Sequence, residues 1–160
     1  MPTPAPVSVP TPREVFTTLA GLLSAGRWDE VAALYAEDAV AELPFALPVP
    51  DRVEGRATLH ERFTMLGAGN LEMVVENIRV HETADPEVIV AEFETRGKAL
   101  TTGRAFHLAN IQVLRVRDGL IEHTRDFHDH AALAVATGRM PALDAALGDG
   151  FALDRVPDAA

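Results

Sequence analysis

Gly119-Leu-Ile-Glu-His-Thr-Arg-Asp-Phe-His-Asp-His130 is the stretch on which the rest of the chain turns. It follows Ile111-Gln-Val-Leu-Arg-Val116 across a tight Arg117-Asp118-Gly119 turn, so two segments of period 2 flank a turn signal and predict an antiparallel hairpin. Strand alternation places Glu122, Thr124, Asp126 and His128 on one face of the second arm, and Ile121, His123, Arg125 and Phe127 on the other. The end of that arm is crowded with groups able to accept or move protons: Asp126, His128, Asp129 and His130. A polar row of this kind costs little on a wet face and a great deal against a core without partners.

Upstream, residues 71–82, 87–96 and 105–116 read as three more long strands, with Asp85-Pro86 and Gly103 marking turns between them. Before the strands come helices. Thr11-Pro12-Arg13-Glu14 supplies a capping box and opens helix one, whose apolar stripe is Val15, Phe16, Leu19, Leu22 and Leu23. After Gly26, residues 28–36 predict a second short helix, and residues 39–43 a short strand. The proline-rich 44–50 segment demands a loop, and Gly55 releases a third helix over 56–66 with Leu59, Phe63 and Leu66 inward. Helices followed by long strands predict an α+β domain with helices packed on one face of an antiparallel sheet. Residues 131–137 then form a short helix ended by Gly138.

With 160 residues and 48% hydrophobic content, the chain suffices for one domain with its own core. Residues 1–11, with several prolines among small residues, read as a flexible arm, 12–138 as the domain, and 139–160 as a tail, docked or disordered. The net charge of −10 and the lack of a basic cluster argue against nucleic acid. No apolar run is long enough to cross a bilayer and the first dozen residues lack a basic start and apolar centre, so a cytoplasmic protein with no membrane contact is expected. The chain has no cysteine, so chemistry must come from carboxylates, histidines and hydroxyls.

The segment Leu22-Leu-Ser-Ala-Gly-Arg-Trp-Asp-Glu-Val-Ala-Ala-Leu-Tyr-Ala-Glu-Asp-Ala-Val40 resembles the opening of the nuclear transport factor 2-like superfamily, which holds ketosteroid isomerase, scytalone dehydratase and SnoaL-like polyketide cyclases. Asn77-Ile-Arg-Val-His-Glu-Thr-Ala-Asp-Pro86, Glu92, Gly97-Lys98-Ala99 and Arg125-Asp-Phe127 are similar to its phenazine-biosynthesis A/B and SnoaL-like members. The resemblance implies a cone-shaped curved antiparallel sheet with three N-terminal helices on its concave face. It also implies a cavity, a small hydrophobic ligand and a homodimer formed through the outer sheet face, where Ala109, Ile111, Val113 and Phe127 need a cover. Ketosteroid isomerase itself is disfavoured: Leu43, Leu19 and Gln112 stand where that enzyme carries its base, tyrosine and aspartic acid. The catalytic glutamate of the phenazine proteins falls at Asp126, and the acid/base aspartate of SnoaL-like cyclases at Asp129.

Placed by this resemblance, Asn110, Gln112 and Leu114 on one strand and Thr124, Asp126 and His128 on its neighbour face the cavity. Phe16, Leu19, Phe45, Leu59 and Phe63 supply apolar walls. A carboxylate desolvated in such a pocket holds its proton nearer neutrality, and an imidazole titrates there without help, so Asp126 and His128 are the candidate catalytic pair. Gln112 and Asn110 are candidate donors to a carbonyl oxygen gaining charge. Plainer roles compete: Asp126 paired with Arg125 or Arg104 at the rim, Asp129 as a helix cap, Glu92 as a pocket acid or an exposed strand residue. Asp126, His128 and His130 could form a two-histidine, one-carboxylate metal set, but same-face residues on one strand diverge, and no metal is expected. Two functions follow. One is a cofactor-free acid–base cyclase, dehydratase or isomerase acting on a carbonyl-containing metabolite, in secondary metabolism such as antibiotic biosynthesis; the other is a non-catalytic binding or dimerisation module with the same cavity.

Overall fold

The structure, a computed structural model, describes residues 8–68 and 70–148. Residues 1–7 of the expected arm and 149–160 of the expected tail lie outside the described residues. The first helix, α1, runs Pro12–Ser24 and starts on the anticipated box: Thr11 Oγ accepts from the Glu14 N–H at 3.3 Å, and the Thr11 N–H donates to Glu14 Oε2 at 2.8 Å. Val15, Phe16, Leu19 and Ala20 are its buried face.

The second helix is shorter than its pattern suggests. A single turn, α2 (Trp28–Val31), passes into a tight 3-10 turn (Ala32–Leu34), and Tyr35 is already extended at φ −98°, ψ 146°. Tyr35 opens strand β1 (Tyr35–Leu43), where it pairs with Ile121, and this long-range pairing outweighs the helical pattern expected to continue to residue 36. A short strand not foreseen in the sequence, β2 (Asp51–Glu54), folds back antiparallel on β1. Its four residues carry one apolar group, Val53, too little for a period to show. Helix α3 (Arg56–Gly67) follows, then β3 (Leu71–Glu82), β4 (Val88–Ala99), β5 (Arg104–Arg117), β6 (Leu120–His128), α4 (His130–Thr137) and α5 (Met140–Gly148). The last helix gives regular structure to residues in which no strong period was apparent, and Leu143 is its buried anchor.

The six strands form one curved, open sheet in the order β2-β1-β6-β5-β4-β3. Every neighbouring pair is antiparallel except β1 and β6, which run parallel with Ala41 beside Thr124 and Glu42 beside Arg125. The expected purely antiparallel sheet is therefore mixed. β1 comes from the front of the chain and reaches β6 only after the rest of the sheet has been threaded, a connection long enough for a parallel pair.

The phase of β6 also differs from plain alternation. Arg115 pairs with His123 and Val116 with Ile121, which leaves Glu122 as an extra residue. This bulge shifts the face by one position, so Ile121, expected opposite Thr124, is buried with it. Beyond the bulge, Thr124, Asp126 and His128 keep the inward face assigned to them. The core joins Phe16 and Leu19 of α1 and Leu59 of α3 to Ala91, Leu114 and Ile121 of the sheet. Leu114, expected to contact ligand, is fully enclosed here, and Phe16 is 1% exposed, its ring 5.4 Å from that of Phe93. Leu114→Ala is expected to lower unfolding free energy by about 2–5 kcal/mol in urea melts, as for truncation of a buried leucine, and to leave ligand affinity of the folded protein unchanged.

Candidate functional site

The end of β6 opens into a hollow of about 260 Å³ between the sheet and helices α1, α3 and α4. Leu19, Leu23, Trp28, Phe63, Phe93 and Leu133 supply much of its apolar wall. Its polar groups come from a few places: Tyr35 and Glu42 on β1, Thr95 on β4, Asn110 and Gln112 on β5, Thr124, Asp126 and His128 on β6, His130 on α4, Arg62 on α3, and Arg139 between α4 and α5. Strand pairing sets Gln112 directly beside Asp126 and Asn110 beside His128. Such a mixture, mostly apolar with convergent polar groups, suits a small ligand whose orientation must be fixed.

Asp126 Oδ1 lies 3.6 Å from His128 Nδ1, slightly beyond a hydrogen bond. That oxygen is buried without a hydrogen-bond partner among the described residues, and His130 Nε2 is likewise unpaired there. The two imidazoles of His128 and His130 stack with ring centroids 3.8 Å apart. Burial, followed by the neighbouring His128, pushes His130 down to about 4; the Asp126 charge opposes this, and Arg139 and Arg62 reinforce it. Tyr35, missed by the sequence reading, lines the same hollow. Its phenol is held well above its ordinary range by burial and then by the Asp126 charge, against a hydrogen bond with Thr124 that acts the other way. A phenol held protonated beside a carboxylate can donate a hydrogen bond.

The hollow brings together Asp126, His128, Asn110, Gln112, Thr124, Leu19, Leu59 and Phe63 among the residues singled out from sequence. The others lie elsewhere. Glu92 is on the opposite sheet face, half exposed and 3.5 Å from His81, because it alternates with the buried Ala91. Phe45 is 66% exposed and meets Phe127 edge to face at 5.2 Å, also outside the hollow. Asp129 caps α4 through the Ala132 N–H at 2.8 Å, which is its plainer role. Asn110 spends its amide donors on Thr95 Oγ at 2.9 Å and the carbonyls of Leu108 and Phe93 at 3.2 and 3.4 Å, so it braces the floor rather than offering a donor. Asp126 does not pair with the candidate rim arginines: Arg125 reaches Glu42 at 3.4 Å, and Arg104 donates to the Val135 carbonyl at 2.7 Å. His130, weighed from the sequence as a proton-moving group and metal ligand beyond the strand end, lines the hollow from α4, whereas Arg62 and Arg139 went unnoticed because they sit on helical or linking segments with no pattern of their own.

Glu76, Glu94 and His107 lie close enough to share a cation, but on the other sheet face. Arg96 already bonds Glu76 and Asn77 bonds Glu94, so those charges are largely answered. A broad groove of about 760 Å³ crosses the same face along Ile78, Ile111 and Phe127. Among the described residues no helix is long and apolar enough to cross a membrane.

The sequence model of the SnoaL-like domain matches residues 15–124. An uncharacterized PhzA/B-like protein of Pseudomonas aeruginosa is 35% identical over 95 residues, 59% of this chain and 67% of that one. Among solved structures, a proposed isomerase from Bacillus subtilis is 25% identical with a TM-score of 0.73, over 79% of this chain and 92% of that chain. A proposed polyketide cyclase from Xanthomonas campestris is 20% identical with a TM-score of 0.66, over 77% and 93%.

With His130 depressed from 6.5 to about 4, the unfolded chain binds more protons there than the native state within that window. Native stability contributed by this site is thus intact above pH 6.5 and declines as pH falls toward 4. Thermal melts between those limits should show this decline, flattened in His130→Gln. NMR of the imidazole should place its midpoint near 4.

Proposed function

Since the chain belongs to the SnoaL-like domain family, we propose that it is a cofactor-free acid–base enzyme that cyclises, isomerises or dehydrates a small hydrophobic carbonyl compound of secondary metabolism. The observation that carries this reading is a carboxylate oxygen without a hydrogen-bond partner among the described residues, set beside an imidazole at the polar end of an apolar hollow. The polyketide cyclase and isomerase descriptions of the structural neighbours supply the reaction class. On this reading the three N-terminal helices close the concave side of the cone, and the protein works as a homodimer in the cytoplasm.

Asp126 removes a proton from the carbon next to the substrate carbonyl. The C–H electron pair becomes the enolate double bond, and negative charge gathers on the carbonyl oxygen. Gln112, paired with Asp126 across the strands and free of side-chain hydrogen bonds among the described residues, is placed to donate its amide N–H to that oxygen. Asp126 passes the proton to His128, which returns it at the carbon or leaving oxygen that defines the product and so restores both groups. Its 3.6 Å separation from Asp126 needs to close by only a few tenths of an ångström to become a hydrogen bond, the kind of tightening that substrate binding brings. Apolar walls keep bulk water from quenching the enolate.

Asp126→Asn and His128→Ala should each lower kcat by about 10²–10⁴-fold while leaving ligand affinity within a few-fold, read by steady-state kinetics beside calorimetric binding. Unchanged turnover in both variants would remove the acid–base assignment and leave a binding module. For the dimer, Phe45, Ile111 and Ile78 are 66%, 45% and 41% exposed on the face away from the hollow, and burying them together needs a second apolar surface. Size-exclusion with light scattering should give twice the chain mass at micromolar concentration, and Ile111→Glu should give the monomer.

A further inference from the structure

The chain has a net charge of −10, yet the lining of the hollow sets two arginines, Arg62 and Arg139, against two carboxylates, Glu42 and Asp126. Arg62 and Arg139 both line it with His128 and His130. Both guanidinium charges reach the His130 ring, where they disfavour its protonation. Asp126 shares the hollow but makes no ion pair with either arginine among the described residues, and the other carboxylates nearby are already shared. Asp51 takes one nitrogen of Arg62 at 2.5 Å. Glu42, which also lines the hollow, is divided among Arg52, His123 and Arg125. Arg139 donates its Nε–H to Thr137 Oγ at 3.2 Å, and no carboxylate among the described residues pairs with it. A guanidinium has five N–H donors in a planar fork, so both arginines keep donors in reserve.

We propose that the compound bound in this hollow carries a carboxylate, which docks on Arg139 and Arg62 while its apolar body lies against Leu19, Phe63 and Phe93. This rests on the reading of the hollow as a ligand site given above. A carboxylate stripped of water needs charged donors, and a guanidinium fork matches its two oxygens. The apolar wall leaves one orientation in which anion, arginines and hydrocarbon are all satisfied. Anchoring one end of the molecule decides which carbon is presented to Asp126, so the arginines act as positioning and specificity residues. An anion bound there also offsets the cations around His130 and moves its titration upward from about 4. Asp126, His128, Arg62 and Arg139 are the charged or titratable groups acting on that ring.

The test uses the whole chain and two probes of nearly equal shape, 1-naphthoate and neutral 1-naphthamide, titrated calorimetrically at neutral pH. Naphthoate is expected to bind about tenfold or more tightly, the effect of one charge-assisted hydrogen bond. Arg139→Gln should reduce the preference to within about threefold, and Arg139→Lys should restore part of it. Naphthoate, and not naphthamide, should raise the NMR titration midpoint of His130. Equal affinity for both probes, or a preference that survives both Arg139→Gln and Arg62→Gln, overturns the carboxylate and leaves the hollow as a site for neutral ligands. Binding of neither probe overturns the ligand-site reading itself, and this inference with it.

Discussion

Side-chain alternation along β6 is the constraint on which the site depends. A strand offers every second residue to each face, so the placing of Asp126 and His128 in the hollow is settled by whatever fixes the phase of that strand. The phase is fixed twice over. Ile121 and Leu114 are enclosed in the core at one end of the pairing, and the extra residue Glu122 lets Ile121 and Thr124 both turn inward although they are three positions apart. Glu122 itself turns out to the rim, where Arg117 donates to it at 3.1 Å. Apolar burial thus sets the register, and the proton-bearing residues follow it.

Around that strand the neighbours divide their work. Asn110 ties β5 to β4 with its amide donors, so the floor of the hollow has fixed geometry. Asp129 stops the strand and starts α4, and this places His130 two positions after His128, close enough for the rings to stack. The cap that looks merely structural is therefore the reason a second imidazole reaches the site at all.

Much of this was legible from residues alone. The capping box at Thr11, the four long strands, the cap at Asp129 and the inward trio Thr124, Asp126 and His128 rest on short-range patterns that a sequence displays directly. The misreadings come from long-range pairing. Tyr35 belongs to a strand because Ile121, far away in sequence, lies beside it, and the bulge at Glu122 exists only between two particular strands. Leu114 and Phe16 were expected as ligand contacts because face assignment gives direction but not depth. The arginines were invisible for a similar reason: Arg62 on α3 and Arg139 after α4 come to line one hollow only in the folded chain.

The parallel pairing of β1 with β6 has a consequence for how the molecule comes into being. The strand carrying Ala41 and Glu42 leaves the ribosome long before its neighbour at Thr124 and Arg125 is synthesised, and until then the short β2 is its sole sheet partner. Contacts of such large sequence separation are slow to form and cannot be nucleated locally. The end of the sheet that carries Asp126 and His128 is accordingly the last part to be completed during biosynthesis, so nascent fragments ending before residue 120 contain helices and a meander but not β6.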